Sequence, residues 1–170
     1  MLTEILVVVA LTIVNGLLAM SELAVVSSRT ARLKVLSDQG SKGAATAMRL
    51  AEDPGRFLST VQIGITLVGV LSGAFSGATL GARLSEWLGT HGFSPSVSDT
   101  LGVGLVVVAI TYLSLILGEL VPKQIALRDP ERVAARVAPA MWLLSKIGAP
   151  IVLSGMRWRA AKTCTLLMPG

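Results

Sequence analysis

Long stretches without charge alternate with short segments in which charges gather. Residues 5–26 are interrupted only by Asn15, Ser21 and Glu22 among strongly polar residues, residues 57–82 carry no charge, and residues 101–117 are likewise uncharged. Each run is close to the roughly 20 residues a helix needs to cross about 30 Å of hydrocarbon. The pattern predicts an all-α membrane protein with three transmembrane helices. Between the first two runs, "SSRTARLKVLSDQGSKGAATAMRLAEDPGRF" reads as helical on either side of a break at 40–43. Leu33 and Leu36, then Ala47, Leu50 and Ala51, fall at helical spacing, and Asp53-Pro54 ends the second piece. After the third run, "PERVAARVAPAMWLLSKIG" puts Val133, Val137, Met141 and Leu144 on one face with Arg132 and Arg136 beside them. That is the pattern of a helix lying at the membrane surface, and these juxtamembrane amphipathic helices are expected to form a belt around the spans.

The second run is unusual in its glycines. Gly69, Gly73, Gly77 and Gly81 recur every fourth residue, on one helical face, with Ser72 and Ser76 adjacent. Such a face lets another backbone approach closely, for packing or dimerisation. So much glycine also permits a broken span, whose free carbonyls are tolerated at membrane depth inside protein or along a polar cavity. Both readings stay open at this level, and Gln62 and Thr66 add polar groups to the same run.

Composition agrees with the membrane assignment: the 170 residues are 52% hydrophobic and 15% charged, more apolar than a soluble domain of this length needs to fill one core. The formal charge of +5 comes from 15 Lys+Arg against 10 Asp+Glu. Residues 29–56 hold Arg29, Arg32, Lys34, Lys42, Arg49 and Arg56, whereas 83–100 hold only Arg83. The positive-inside rule then places the N-terminus outside, 29–56 in the cytoplasm, 83–100 outside and the C-terminus in the cytoplasm of a cell (plasma or inner) membrane. Membrane lipid, not nucleic acid, is the partner this basicity implies. Lone Cys164 excludes an intrachain disulfide or a Cys-rich metal site. The first run begins without a basic leader and continues too long for a cleavable signal peptide. His91, the sole histidine, lies in "GTHGFSPS" with no cysteine or carboxylate cluster nearby, and neither "GVGLVV" nor "GITLVGVLSG" continues as a phosphate loop. No enzyme chemistry is expected.

The third run ends in "LSLILGELVPKQIA", which places Gly118, Glu119, Pro122 and Lys123 within six positions. Pro122 has no N–H to offer the Gly118 carbonyl four residues back, so that oxygen is left free where glycine also loosens the chain. Glu119 stands beside it. A carboxylate next to unpaired backbone oxygens suits a hard cation such as Mg²⁺, and a carboxylate at this depth is expensive without a cation or a proton. The plainer alternative is an i,i+4 pair between Glu119 and Lys123. Glu22 and Ser21, toward the corresponding end of the first run, suggest that two spans share one site.

"VNGLLAMSELAVVSSRTARL", "EDPGRFLSTVQIGITLVGVLSGAFSG" and "LGELVPKQIALRDPERVA" resemble, in order and spacing over residues 1–155, the transmembrane domain of the CNNM/CorC magnesium transport proteins, often called hemolysin-like. "QIGITL" together with "GELVPK" makes the resemblance specific. It implies three spans with a juxtamembrane helical belt, a homodimer, and Mg²⁺ held in an inward-facing cavity by serine or asparagine side chains, backbone oxygens and the glutamate of "GE". Carried over, the glutamate is Glu119 and the helix break is Gly118 with Pro122; Ser21 and Ser72 are the expected side-chain ligands, with Glu22, Thr66, Pro122 and Lys123 in support. Family members usually continue into cytoplasmic CBS modules; here the expectation is a short atypical tail over 156–170 with those modules absent. The competing function is a non-transporting membrane scaffold or hemolysin-like protein whose glycine face only mediates assembly.

Overall fold

A computed structural model describes residues 2–147, and among them every regular element is helical. In chain order these are α1 (Leu2–Ser27), α2 (Thr30–Asp38), α3 (Lys42–Glu52), α4 (Pro54–Ser76), α5 (Ala82–Thr90), α6 (Pro95–Leu115), α7 (Val121–Arg128) and α8 over 130–147. Two π-helical turns, Gly77–Gly81 and Ile116–Leu120, join α4 to α5 and α6 to α7. Pro54–Thr90 and Pro95–Arg128 are therefore continuous rods of 37 and 34 residues which, with Leu2–Ser27, are long and apolar enough to cross a membrane. The chain is a multi-pass membrane protein.

Helix contacts divide the chain into two compact units. The first comprises Met1–Leu23 and Gly64–Arg128. Here the α4–α5 and α6–α7 rods form an antiparallel hairpin that reverses at 91–94, where Gly92 takes a φ of +92°, a conformation glycine adopts without penalty. Much of the segment 83–100, which separates the second and third apolar runs, is thus the helical tip of this hairpin. The rods touch closely: a Cβ on Gly81 would lie 3.0 Å from Val103 Cα, and one on Gly102 would lie 2.5 Å from Ser85 N. At the tip the Ser85 hydroxyl donates to the Asp99 carboxylate, and exposed His91 stacks against Trp87, its ring 4.1 Å away. Glu4 and Arg83, 2.8 Å apart, tie α1 to α5. Val108 and Tyr112 on α6 remain 68% and 63% exposed, as side chains facing lipid do.

The second unit comprises Ala24–Ile63 and Asp129–Gly170, of which 148–170 lie outside the described residues. As the sequence pattern predicts, α2 and α3 flank a break at Gly40, whose φ is +94°, and Ser41 caps α3 by accepting from the Ala44 N–H at 3.3 Å. Asp53 separates α3 from α4 and accepts from the Arg56 N–H at 3.3 Å, while Pro54 opens α4, where its missing donor is harmless. The core joins Leu33, Ala44, Ala47, Leu50, Phe57 and Val61 to Ala134, Ala138 and Met141. On α8, Glu131, Ala134, Ala138 and Met141 are buried, and Val133, Val137 and Leu144 are half-buried. Small side chains win this face because α3 comes so near that a Cβ on Gly43 would overlap the Ala135 carbonyl. Buried Glu131 is satisfied by the Arg29 N–H at 3.4 Å and by Arg32 at 3.8 Å.

Candidate functional site

Several polar residues of the first unit, Asn15, Ser72, Thr111, Ser114 and Glu119, line one cavity beside the π-turn at Ile116–Leu120. Sequence alone suggests a broken helix here; the structure keeps the helix continuous and widens it. Val121 N–H donates to the Ile116 carbonyl five residues back, and the added residue gives the Pro122 ring room that a regular α-turn denies it. The same correction applies to the second span, where α4 runs unbroken past Gly69 and Gly73 and only Gly77–Gly81 is π-helical.

The Gly118 carbonyl, deprived of its donor by Pro122, is met by Asn15 Nδ2 at 3.4 Å. Two glycines make that meeting possible. A Cβ on Gly118 would stand 3.1 Å from Asn15 Nδ2, and one on Gly16 would stand 3.0 Å from Pro122 Cγ. Asn15 itself is 5% exposed, and its Oδ1 has no hydrogen-bond partner among the described residues.

Asn15 lines a cavity of about 230 Å³ together with Ile65, Gly69, Ser72 and Gly73 of α4, Ile110, Thr111, Ser114 and Leu115 of α6, and Glu119. Ser72 is buried, and its Oγ too lacks a partner among the described residues. This is unusual for a helical serine, which ordinarily bonds back to its own helix. Ser76 does so, donating to the Gly73 carbonyl at 3.1 Å, and Ser21 does so to the Leu18 carbonyl at 2.7 Å. A buried oxygen left unpaired costs about 1–3 kcal/mol. Glu119 is the charged residue among those that line the cavity. Its carboxylate is 33% exposed and also lies 3.6 Å from Lys123 Nζ, so the plainer i,i+4 pair is present as well.

Of the residues singled out from sequence, Ser72 and Glu119 thus share one cavity, with Gly118 behind Asn15. Ser21 does not line it, because six residues from Asn15 is about two-thirds of a turn off that face. Glu22 lies on the Asn15 face but two turns on, about 10 Å along the helix, and Thr66 points outward as an exposed residue. The glycine row divides between two roles. Gly77 and Gly81 pack on Val107 and Val103, whereas Gly69 and Gly73 meet nothing within 4 Å and border the cavity. Sequence reading missed Asn15, Thr111 and Ser114; Asn15 carried a signal as the one amide in the first apolar run. Among the described residues no three of His, Cys, Asp and Glu converge, and Glu119 is the one acidic residue lining this cavity.

Three apolar helices, two of them carrying a π-turn, with a cavity beside the second π-turn, define a multi-pass membrane domain. More particularly, the chain belongs to the family of the Cyclin M (CNNM) transmembrane N-terminal domain, whose sequence profile matches residues 5–165. It is 47% identical over 149 residues to a UPF0053 protein of Synechocystis sp., covering 88% of this chain and 33% of that protein. A polyamine export protein of Escherichia coli is 31% identical over 152 residues (89% and 34%), and an uncharacterized protein of Mycobacterium tuberculosis 32% over 138 (81% and 39%). The chain spans about a third of the length of these relatives.

Proposed function

We propose that the chain is the membrane domain of a divalent-cation transporter and that Mg²⁺ occupies the cavity beside Glu119 in transit. The observation that carries this reading is that Asn15 and Ser72, whose Oδ1 and Oγ are buried and without a partner among the described residues, line the same cavity as Glu119. Mg²⁺ takes about six oxygens at about 2.0–2.1 Å and keeps several waters, so one carboxylate with a few neutral oxygens suits a transported ion better than a tightly held one. The homodimer, the N-out and C-in orientation and the cell membrane location belong to the same proposal, the orientation resting on six basic residues in 29–56 against one in 83–100.

A scaffold whose glycine face only mediates assembly accounts for Gly77 and Gly81, which pack on α6, but gives no role to the polar residues that line the cavity beside Gly69 and Gly73. A second cation reading has a specific ground, since relatives in Escherichia coli and Haemophilus influenzae are named polyamine export proteins. A polyamine carries several separated ammonium groups, whereas this cavity offers one carboxylate, already near Lys123. Calorimetric titration of the detergent-solubilised protein with Mg²⁺ and, separately, spermidine distinguishes the two. Saturable Mg²⁺ binding that spermidine does not displace is the expected result; spermidine binding with no Mg²⁺ heat would transfer the site to polyamines.

A further inference from the structure

The second unit contains a cavity of its own, unrelated to cation chemistry. About 220 Å³ lies between the last turn of α3, the first turn of α4 and the end of α8, with Arg49, Asp53, Arg56, Trp142 and Lys146 on its walls. Three cations face one carboxylate, and that carboxylate is engaged in capping α4. Arg56 Nε is buried with no hydrogen-bond partner among the described residues. Lys146 Nζ sits 4.0 Å above the Trp142 ring, and among the described residues neither it nor the two arginines forms a salt bridge. The stretch 148–170 has no Asp or Glu to offer them. A buried guanidinium N–H without an acceptor is costly, and a planar fork beside a second arginine and a lysine is the arrangement that recognises phosphate oxygens.

We propose that this cavity binds the phosphate of an anionic phospholipid headgroup. Lipid is favoured over a free phosphate because Arg56 is the last charge before the uncharged run that starts at Phe57, the depth at which headgroups lie, and because tryptophan is the residue typical of that boundary. The room is right as well: at about 30 Å³ per water the cavity holds about seven waters' worth of volume, enough for a phosphate and its ester arms.

The test uses the purified protein in neutral detergent with EDTA, so that no divalent ion bridges lipid to protein. Short-chain phosphatidylglycerol, short-chain phosphatidylcholine, inorganic phosphate and ATP are each titrated while binding is followed by native mass spectrometry and melting. Phosphatidylglycerol should bind saturably and raise the melting temperature, phosphatidylcholine should do so far less, and the free phosphates should have no effect at the same concentrations. Arg56→Gln should weaken phosphatidylglycerol binding about tenfold or more, the loss expected for one charge-assisted contact. Arg49→Gln, on an exposed side chain whose loss leaves the core intact, should weaken it as well, so the result does not depend on the folding of one variant. Equal binding of inorganic phosphate or ATP would overturn the lipid assignment, and phosphatidylglycerol affinity unchanged in both variants would overturn the site.

Discussion

Replacing Gly73 and Gly81 in turn by alanine separates the two jobs of the glycine row. At Gly81 the new methyl would stand 3.0 Å from Val103 Cα and 3.2 Å from its Cγ2, and because the nearer atom is backbone, α6 must shift to admit it. Overpacking of this kind costs about 1–3 kcal/mol. Against that stands the gain in helix propensity on leaving glycine, about 1 kcal/mol, so Gly81→Ala should destabilise by roughly 0–2 kcal/mol. At Gly73 nothing lies within 4 Å, and only the gain remains. The two variants should therefore differ by about 1–3 kcal/mol with Gly73→Ala the more stable, or about 2–4 °C in melting temperature for each kcal/mol in a chain of this size. Thermal melting in one detergent reads the difference. Because Gly73 borders the cavity, its methyl should at the same time weaken Mg²⁺ binding. If Gly73→Ala melts as low as Gly81→Ala, or if it leaves Mg²⁺ affinity untouched, the division of the row is wrong.

Gly43→Leu should abolish the packing of α3 on α8, since even a Cβ there would overlap the Ala135 carbonyl; limited proteolysis within 29–56 should become rapid, and wild-type resistance would contradict the close approach. Lys123→Met removes a half-exposed ion pair worth about 1 kcal/mol or less, so melting should change little and Mg²⁺ affinity should hold or rise as a competing cation leaves. A marked loss of stability would instead mean that Glu119 serves Lys123 alone. With Cys164 replaced by serine, a cysteine at Ser96 should label from outside intact cells and one at Ser41 only after permeabilisation; the reverse would invert the proposed topology.

The spans were legible because about twenty apolar residues have no other economical use, and the α2–α3 hairpin because Gly40, Ser41 and Asp53 are local stop and start signals. What sequence could not supply was azimuth. It gives the depth of Ser21 and Asn15 along α1 but not which of them faces the third span, and that is decided by the fit of Gly16 against Pro122 and of Asn15 against Gly118. The consequence of Pro122 was half legible. The missing N–H is a property of the residue, but whether the chain breaks or absorbs one extra residue in a π-turn depends on the neighbours packed against it. The packed face of α8 was not legible either: valines mark its apolar side, while the burial of Ala134 and Ala138 depends on how near α3 comes at Gly43. Of the two serines expected as ligands, Ser72 lacks a back-bond and lines the cavity whereas Ser21 bonds back to its own helix, a difference that depends on packing and not on residue type.

Calorimetric titration of Mg²⁺ into the wild-type protein and Glu119→Gln bears most directly on the cation site. Glutamine keeps the size and one oxygen of Glu119 and removes its charge. At an effective dielectric near 20, a unit charge about 4 Å from another is worth about 4 kcal/mol before desolvation, so even a third of that surviving means a Kd weakened about tenfold. A loss of tenfold or more, with melting temperature close to wild type, is the predicted result. Equal affinity for Mg²⁺ in the two proteins would contradict the assignment of Glu119 as the charge that holds the ion.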